Sequence, residues 1–180
     1  MEKKPLVVIG NEKVFKSDSS FYCDRYDEKS IPEGLSKYNE IYYIARSLKK
    51  KGDHKVNLKN IKVSKNIFLF IYSIIKTFRI SEASYLLISI TPYTFFSFFI
   101  LFIFRKKIFV YLRSSGHEEY KYILGSWAVG IYHFMYKIVT SKSNVIVCDY
   151  RLHDKNKSHL ALPSKLDSQW AKDQKVAFTD

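Results

Sequence analysis

The sequence predicts an α/β fold with a mostly parallel sheet and helices on both faces. Three observations lead there. Short aliphatic runs recur along the chain and read as buried strands. Helical periodicity fills the gaps between the later runs. The stretch from Lys107 to Tyr120 passes from five apolar residues, through a dense polar turn, into a periodic helix. Strand, helix and strand in alternation favour parallel pairing through right-handed crossovers. At 180 residues the chain fits one domain and can bury a real core.

The elements follow in order. Residues 6–10 read as a first strand that ends at Gly10. Residues 11–40 are polar, aromatic and weakly patterned, with Pro32 and Gly34 as turn signals. Residues 41–45 read as a second strand, followed at once by Arg46. Residues 49–53 form a charged loop, and 60–63 a short third strand. Ser64 is placed to cap a helix running to Arg79, whose apolar face includes Phe68, Ile71, Ile74, Ile75 and Phe78. Strand 84–90, helix 92–104 and strand 107–112 come next. One long helix is expected from Glu118 to Val139, with the two glutamates favourable in its first turn. Residues 144–148 and 159–162 read as strands, 163–167 as a turn, and the rest as a polar tail.

The run Leu86–Phe104 has no charged residue and is followed by Arg105, Lys106 and Lys107. Its length meets the rule for a spanning helix. Thr91-Pro92 divides it, because that pair suits an N-cap and a first helical turn. The helix that remains covers roughly 20 Å, short of the ~30 Å hydrocarbon core. The division therefore predicts a strand and then a helix that is buried in protein or dips into an interface.

Composition narrows the partners. The net charge is +13, and aromatic residues make up 17% of the chain. A basic protein attracts polyanions: nucleic acid, anionic lipid or phosphorylated substrates. No arginine-rich stripe or recognition motif supports nucleic acid. Helix 64–79 carries Lys65, Lys76 and Arg79 beside its apolar face. It reads either as an ordinary amphipathic surface helix or as a basic helix on an anionic membrane surface. Cys23 and Cys148 suggest no disulfide framework and suit a cytoplasmic protein. The four apolar residues after Pro5 are too short a core for a signal peptide.

Several chemistries lack their motif. Gly10 is followed by Asn-Glu-Lys, so no dinucleotide-binding glycine fingerprint is present, and there is no P-loop lysine motif. The five histidines show no metal-ligand spacing, so no metal is expected. No serine nucleophile elbow occurs.

The cluster at 113–119 is the candidate site. A strand that ends in a polar turn and opens a helix is where open α/β sheets place their ligands. Arg113 can fork onto a phosphate or carboxylate. Ser114, Ser115 and Gly116 can present backbone N–H groups to an anion at a helix N-terminus. His117 and Glu118 are candidates for proton transfer. The plain alternative is a capped helix with a solvated charged turn. If the cluster is functional, Arg113→Ala is expected to reduce activity without unfolding the chain.

Three segments resemble the N-terminal half of family 4 glycosyltransferases with the GT-B fold. They are Tyr85-Leu-Leu-Ile-Ser-Ile-Thr-Pro-Tyr93, Val110-Tyr-Leu-Arg-Ser-Ser-Gly-His-Glu-Glu-Tyr120 and Leu160-Ala-Leu-Pro-Ser-Lys-Leu-Asp-Ser-Gln-Trp170. The last resembles the family's I-P-N-G-V-D-x-x-x-F segment at Pro163, Leu166, Asp167 and Trp170. The resemblance implies a Rossmann-like acceptor domain over residues 1–167, with 168–180 a linker or tail towards a donor domain. It implies substrate-binding roles for Gly10 and Asn11 after the first strand, beside Arg113, Ser114, Ser115 and Gly116. His117 lies near the position of a catalytic histidine of the family, and the family's Gly-Gly turn is reduced here to Gly10. No metal is implied, and a nucleotide-sugar donor would be held mainly by the second domain, in cis or in trans. The acceptor would be a glycan or a lipid-linked sugar at the inner face of the cytoplasmic membrane. The chain ends where a donor domain should start, so it is expected to be inactive alone. The alternative is a non-catalytic, membrane-attached subunit of a split glycosyltransferase.

Overall fold

A computed structural model of the chain describes residues 3–24, 26–155 and 157–161. The resembling positions Pro163, Leu166, Asp167 and Trp170 lie outside the described residues, as does the expected tail.

The fold is α/β, with a mostly parallel, Rossmann-like sheet, of nine strands among the described residues, flanked by helices. Its centre is β1 (Lys4–Ser17), where Val7, Val8 and Ile9 are all buried. A strand with apolar side chains on both faces must be covered on both, so it takes a central place. β3 (Asn39–Ser47) pairs parallel on one side of it and β6 (Ser84–Ile88) on the other. β5 (Asn60–Ser64) extends the first side beyond β3. β7 (Lys107–Leu112), β8 (Asn144–Val147) and β9 (Ser158–Leu160) extend the second, all parallel. The chain thus builds outward from β1 to β5, then crosses over to β6. The order reverses between β1 and β6, and a crevice at the carboxyl ends of the strands belongs at such a reversal.

The far half of β1 turns at Asp18 and pairs antiparallel with β2 (Ser20–Cys23), which pairs with β4 (His54–Val56). The weakly patterned region therefore holds a hairpin and a helix, α1 (Tyr26–Leu35). Pro32 lies inside α1 rather than in a turn. A proline there removes a helical hydrogen bond, and burial of Ile31 and Leu35 against the core prevails over that penalty.

Helix α2 (Ile67–Lys76) is capped by Asn66, whose Oδ1 accepts from Leu69 N–H at 2.9 Å. Ser64, the expected cap, ends β5 and is buried. Helix α3 (Pro92–Ile103) starts where the sequence places it, with a full capping box between Thr91 and Thr94. The uncharged run 86–104 is thus a strand, a turn and a helix. No helix among the described residues is long and apolar enough to cross a membrane. The expected single helix 118–139 is two, α4 (Gly116–Leu124) and α5 (Ser126–Ser141). They part at Gly125, with φ +92° and ψ 173°, a conformation nearly confined to glycine.

Two clusters form the core, one on each side of the sheet. Val8, Ile41, Tyr43, Leu86 and Ile88 pack with α1 and the β2 hairpin. Val7, Ile9, Leu87, Val110 and Leu112 pack with Phe70 of α2, Phe98 of α3 and Met135 of α5. Each such side chain contributes roughly 1.5–3 kcal/mol on burial.

Candidate functional site

The site begins with an irregularity in β1. Between Ile9 and Lys13 the pairing with β3 slips: Ile9 stands opposite Ile44, but Lys13 stands opposite Arg46. Four steps along β1 match two along β3. Bulges of this kind re-aim side chains at the ends of sheets. Asn11 and Glu12 lie within this slip. A Cβ at Gly10 would meet the Glu12 carboxylate, so glycine there leaves that side chain its present place.

Neighbouring strands supply the partners. Arg46, near the end of β3, donates to Asn11 Oδ1 at 2.9 Å. Its guanidinium also lies 4.3 Å from the centre of the Tyr93 ring, in the first turn of α3. Arg113, directly after β7, donates to Glu12 Oε1 at 3.2 Å. β6 lies between β7 and β1, so Arg113 reaches over its end, a reach of two strand spacings or about 9–10 Å. Glu12 is only 7% exposed, and the Arg113 side chain is 28% exposed.

Under this bridge the chain leaves β6 through Ser89, with φ +62°. Ser89 N–H donates to Tyr111 O at 2.9 Å, and its carbonyl accepts from Thr94 Oγ1 at 2.9 Å. Left-handed backbone in a residue with a side chain is uncommon and collects at functional sites. Cys148 Sγ donates to Arg113 O at 3.0 Å and fixes the Arg113 backbone. Burial pushes the nearby Tyr111 phenol up to about 12, with Cys148 adding to the effect. The fold thus gathers two guanidiniums, an amide and an aromatic ring here, each in contact with another member of the set or with Glu12. That set suits a polar ligand carrying a carboxylate, a phosphate or sugar hydroxyls.

The remainder of the polar turn goes elsewhere. His117 Nε2 lies 3.3 Å from His133 Nδ1, and its ring packs on Tyr132 and Tyr136 of α5 at 4.7 and 5.5 Å. Burial lowers its pKa below the usual value, and a charge on His133 lowers it further, while Glu118 opposes the shift. Gly116 is buried against the Tyr132 ring, leaving no room for a Cβ. Ser115 is half-buried and stands 3.5 Å from His117 Nδ1, and its side chain makes no capping bond to α4. Ser114 and Glu118 are exposed. The fold therefore brings Gly10, Asn11 and Arg113 together, packs His117 and Gly116 against α5, and leaves Ser114 and Glu118 at the surface. Neither cysteine forms a disulfide, and no group of side chains among the described residues is arranged to hold a metal.

Glu12, Arg46 and Tyr93 were not among the expected site residues. A signal for two of them was present. Each parallel strand that faces the crevice is followed by a polar residue, and the rule applied to β7 at Arg113 applies equally to Asn11-Glu12 and to Arg46.

The chain has no significant match among models of known protein families, curated proteins or solved structures.

Proposed function

We propose that the chain is the acceptor-binding domain of a glycosyltransferase. In this reading it works peripherally at the inner face of the cytoplasmic membrane, on a glycan or a lipid-linked sugar. A second domain, in cis or in trans, holds the nucleotide-sugar donor. One observation carries the proposal: polar residues from the slip in β1, the end of β3, the position after β7 and the first turn of α3 meet beside the reversal of strand order. Arg46 and Arg113 would hold the acceptor's charged or hydroxyl groups, and Asn11 would orient them. Tyr93, already stacked on Arg46, offers a flat surface to a sugar ring. His117, whose pKa burial lowers, is held against α5 and would take the proton of the acceptor hydroxyl, with Glu118 beside it in sequence, only when α4 shifts relative to α5 on acceptor binding.

Hydrogen exchange on the full chain tests this reading with two probes. A prenyl-phosphate-linked monosaccharide in micelles is expected to protect residues 88–94 and 111–116, and Arg46→Ala to remove that protection. UDP-glucose is expected to protect neither segment. Turnover of UDP-glucose by this chain alone, or no protection by the prenyl-linked probe, overturns the proposal.

A further inference from the structure

We infer that the outer face of the helix layer α2–α5 is a docking surface for an anionic lipid bilayer, with the sheet lying parallel to the membrane plane. The inference deepens the membrane location proposed above and does not depend on sugar chemistry.

Helix periodicity separates the inner and outer faces. In α3, Thr94, Ser97, Phe98 and Leu101 turn to the sheet, while Phe96 and Ile103 point away, the latter 70% exposed. In α2, Phe70 and Ile74 turn inward, while Phe68 and Tyr72 point out, with Phe68 82% exposed. In α5, Ala128, Tyr132, Met135 and Val139 turn inward. Trp127, Ile131 and Phe134 form an exposed stripe beside them, with Phe134 60% exposed. These three share the three-and-four apolar spacing of the helix, yet they lie at the surface. The stripe joins its neighbour: the rings of Phe95 and Phe134 are 6.3 Å apart, linking α3 to α5. Phe78, just past α2, meets Phe104, just past α3, at 4.9 Å. A continuous exposed apolar surface of this kind marks an interaction site.

Charge selects the occupant. The segment 65–142 carries ten basic residues and three acidic ones, Glu82, Glu118 and Glu119. Lys65, Lys76, Arg79, Arg105, Lys121 and Lys137 are all exposed. Two cations lie over aromatic rings of the layer, Lys76 above Tyr72 at 4.5 Å and Lys106 above Phe78 at 4.8 Å. Aromatic rings alternating with lysine and arginine match the headgroup zone of an anionic bilayer. A second copy of this face would set like charges against each other, which costs several kcal/mol. With the helices flat on the lipid, the sheet stands about one helix diameter, ~10 Å, above the headgroups. The crevice then opens sideways along the membrane, within reach of a polar head on a lipid anchor.

Flotation with vesicles tests the assignment on the full chain. Vesicles of phosphatidylcholine with phosphatidylglycerol should bind the chain, and vesicles of phosphatidylcholine alone should bind it far less. In a Trp170→Phe background, Trp127 fluorescence should shift to the blue on binding. Combining Phe96→Ser, Ile103→Ser and Phe134→Ser should weaken binding at least about tenfold, since attachment scales with apolar area. Lys76→Glu with Arg105→Glu should weaken it by about tenfold or more on the anionic vesicles alone. All five positions are exposed, and circular dichroism checks that the fold is kept. Variants that float as well as the parent overturn this face while leaving the membrane location intact. A dimer abolished by the same serines, without vesicle binding, would assign the face to a second copy. No flotation by the parent overturns face and location together.

Discussion

Arg113 and His117 stand four residues apart in one polar turn, yet the fold sends them to different places. Arg113 is the last residue to follow the direction of β7. It stays at the sheet edge and reaches Glu12 on β1. His117 is in the first turn of α4, and the helix rotates it onto α5, against Tyr132, Tyr136 and His133. One turn of helix therefore separates a residue that binds across the sheet from one that packs between helices. Closeness in sequence at a strand-to-helix junction does not make a shared site, because the two side chains answer to different neighbours.

The largest test of this division is Gly116→Ala. The added Cβ would meet the Tyr132 ring, which is buried among Tyr120, Tyr136 and His117 and cannot move aside freely. Overpacking of this kind should cost about 2–3 kcal/mol in a urea titration. Near-parental stability would show that the α4–α5 contact is loose and that His117 is free to turn toward the crevice. Next in size is Arg113→Ala. The pairing with buried Glu12 changes the expectation read from sequence, that this substitution would leave folding intact. Losing the guanidinium beside the buried carboxylate should cost about 1–3 kcal/mol, less than a fully buried pair because Arg113 is partly exposed. With Glu12→Gln in the same chain the two costs should fall short of their sum by about 1 kcal/mol. Strict additivity would mean that the pair is incidental to the crevice.

A smaller effect separates the histidine cluster from the crevice by pH. The pKa of His117 is lower in the folded chain than its unfolded value of about 6.5. Above that pH both states are neutral there, and the group has no effect. As pH falls below it, the unfolded chain takes up a proton that the folded chain resists, so stability falls until the folded value is passed. The half-exposed ring limits this to a few tenths of a kcal/mol. The melting temperature of the parent should drop more between pH 7 and 5.5 than that of His117→Phe. Equal drops would mean that the aromatic surroundings do not exclude the charge.

Much of the architecture was legible because its signals are local. β7 and the start of α3 follow from a five-residue apolar run and from Thr91-Pro92, and the structure places them as read. The hairpin and α1 were not legible. Their residues 11–40 pack by tertiary contacts, such as Ile31 and Leu35 on the core, that override the proline at 32. The break at Gly125 was hidden by unbroken apolar spacing on both sides of it, and only the backbone angle reveals it. The site was half legible. Arg113 was found by its place after a strand. Glu12 carried the same local signal, but its pairing with Arg113 depends on the slip against β3, a long-range feature that no window of single-chain sequence contains. The exposure of the α5 stripe was not legible for a related reason. Periodicity shows that a helix has an apolar side, but not whether a sheet, a neighbouring helix or solvent lies against it.

The smallest expected effects sharpen the comparison most. Ser114 and Glu118 flank the division, one on each side of the turn between strand and helix, and both are exposed. Ser114→Ala and Glu118→Gln should each change stability by no more than about 0.5 kcal/mol, as surface substitutions do. Any effect on ligands is then free of a folding contribution, which Arg113→Ala cannot offer. If the site is the crevice alone, both variants should keep the parent's protection of 88–94 by the prenyl-phosphate-linked monosaccharide. If instead the turn works as a unit, Ser114→Ala should weaken that protection through the lost hydroxyl, and Glu118→Gln should slow transfer in the completed enzyme while binding is kept. A loss confined to Glu118→Gln and to the chemical step would return His117 and its neighbour to the reacting centre. It would also require α4 to move relative to α5 when the acceptor binds, because His117 is otherwise held against His133.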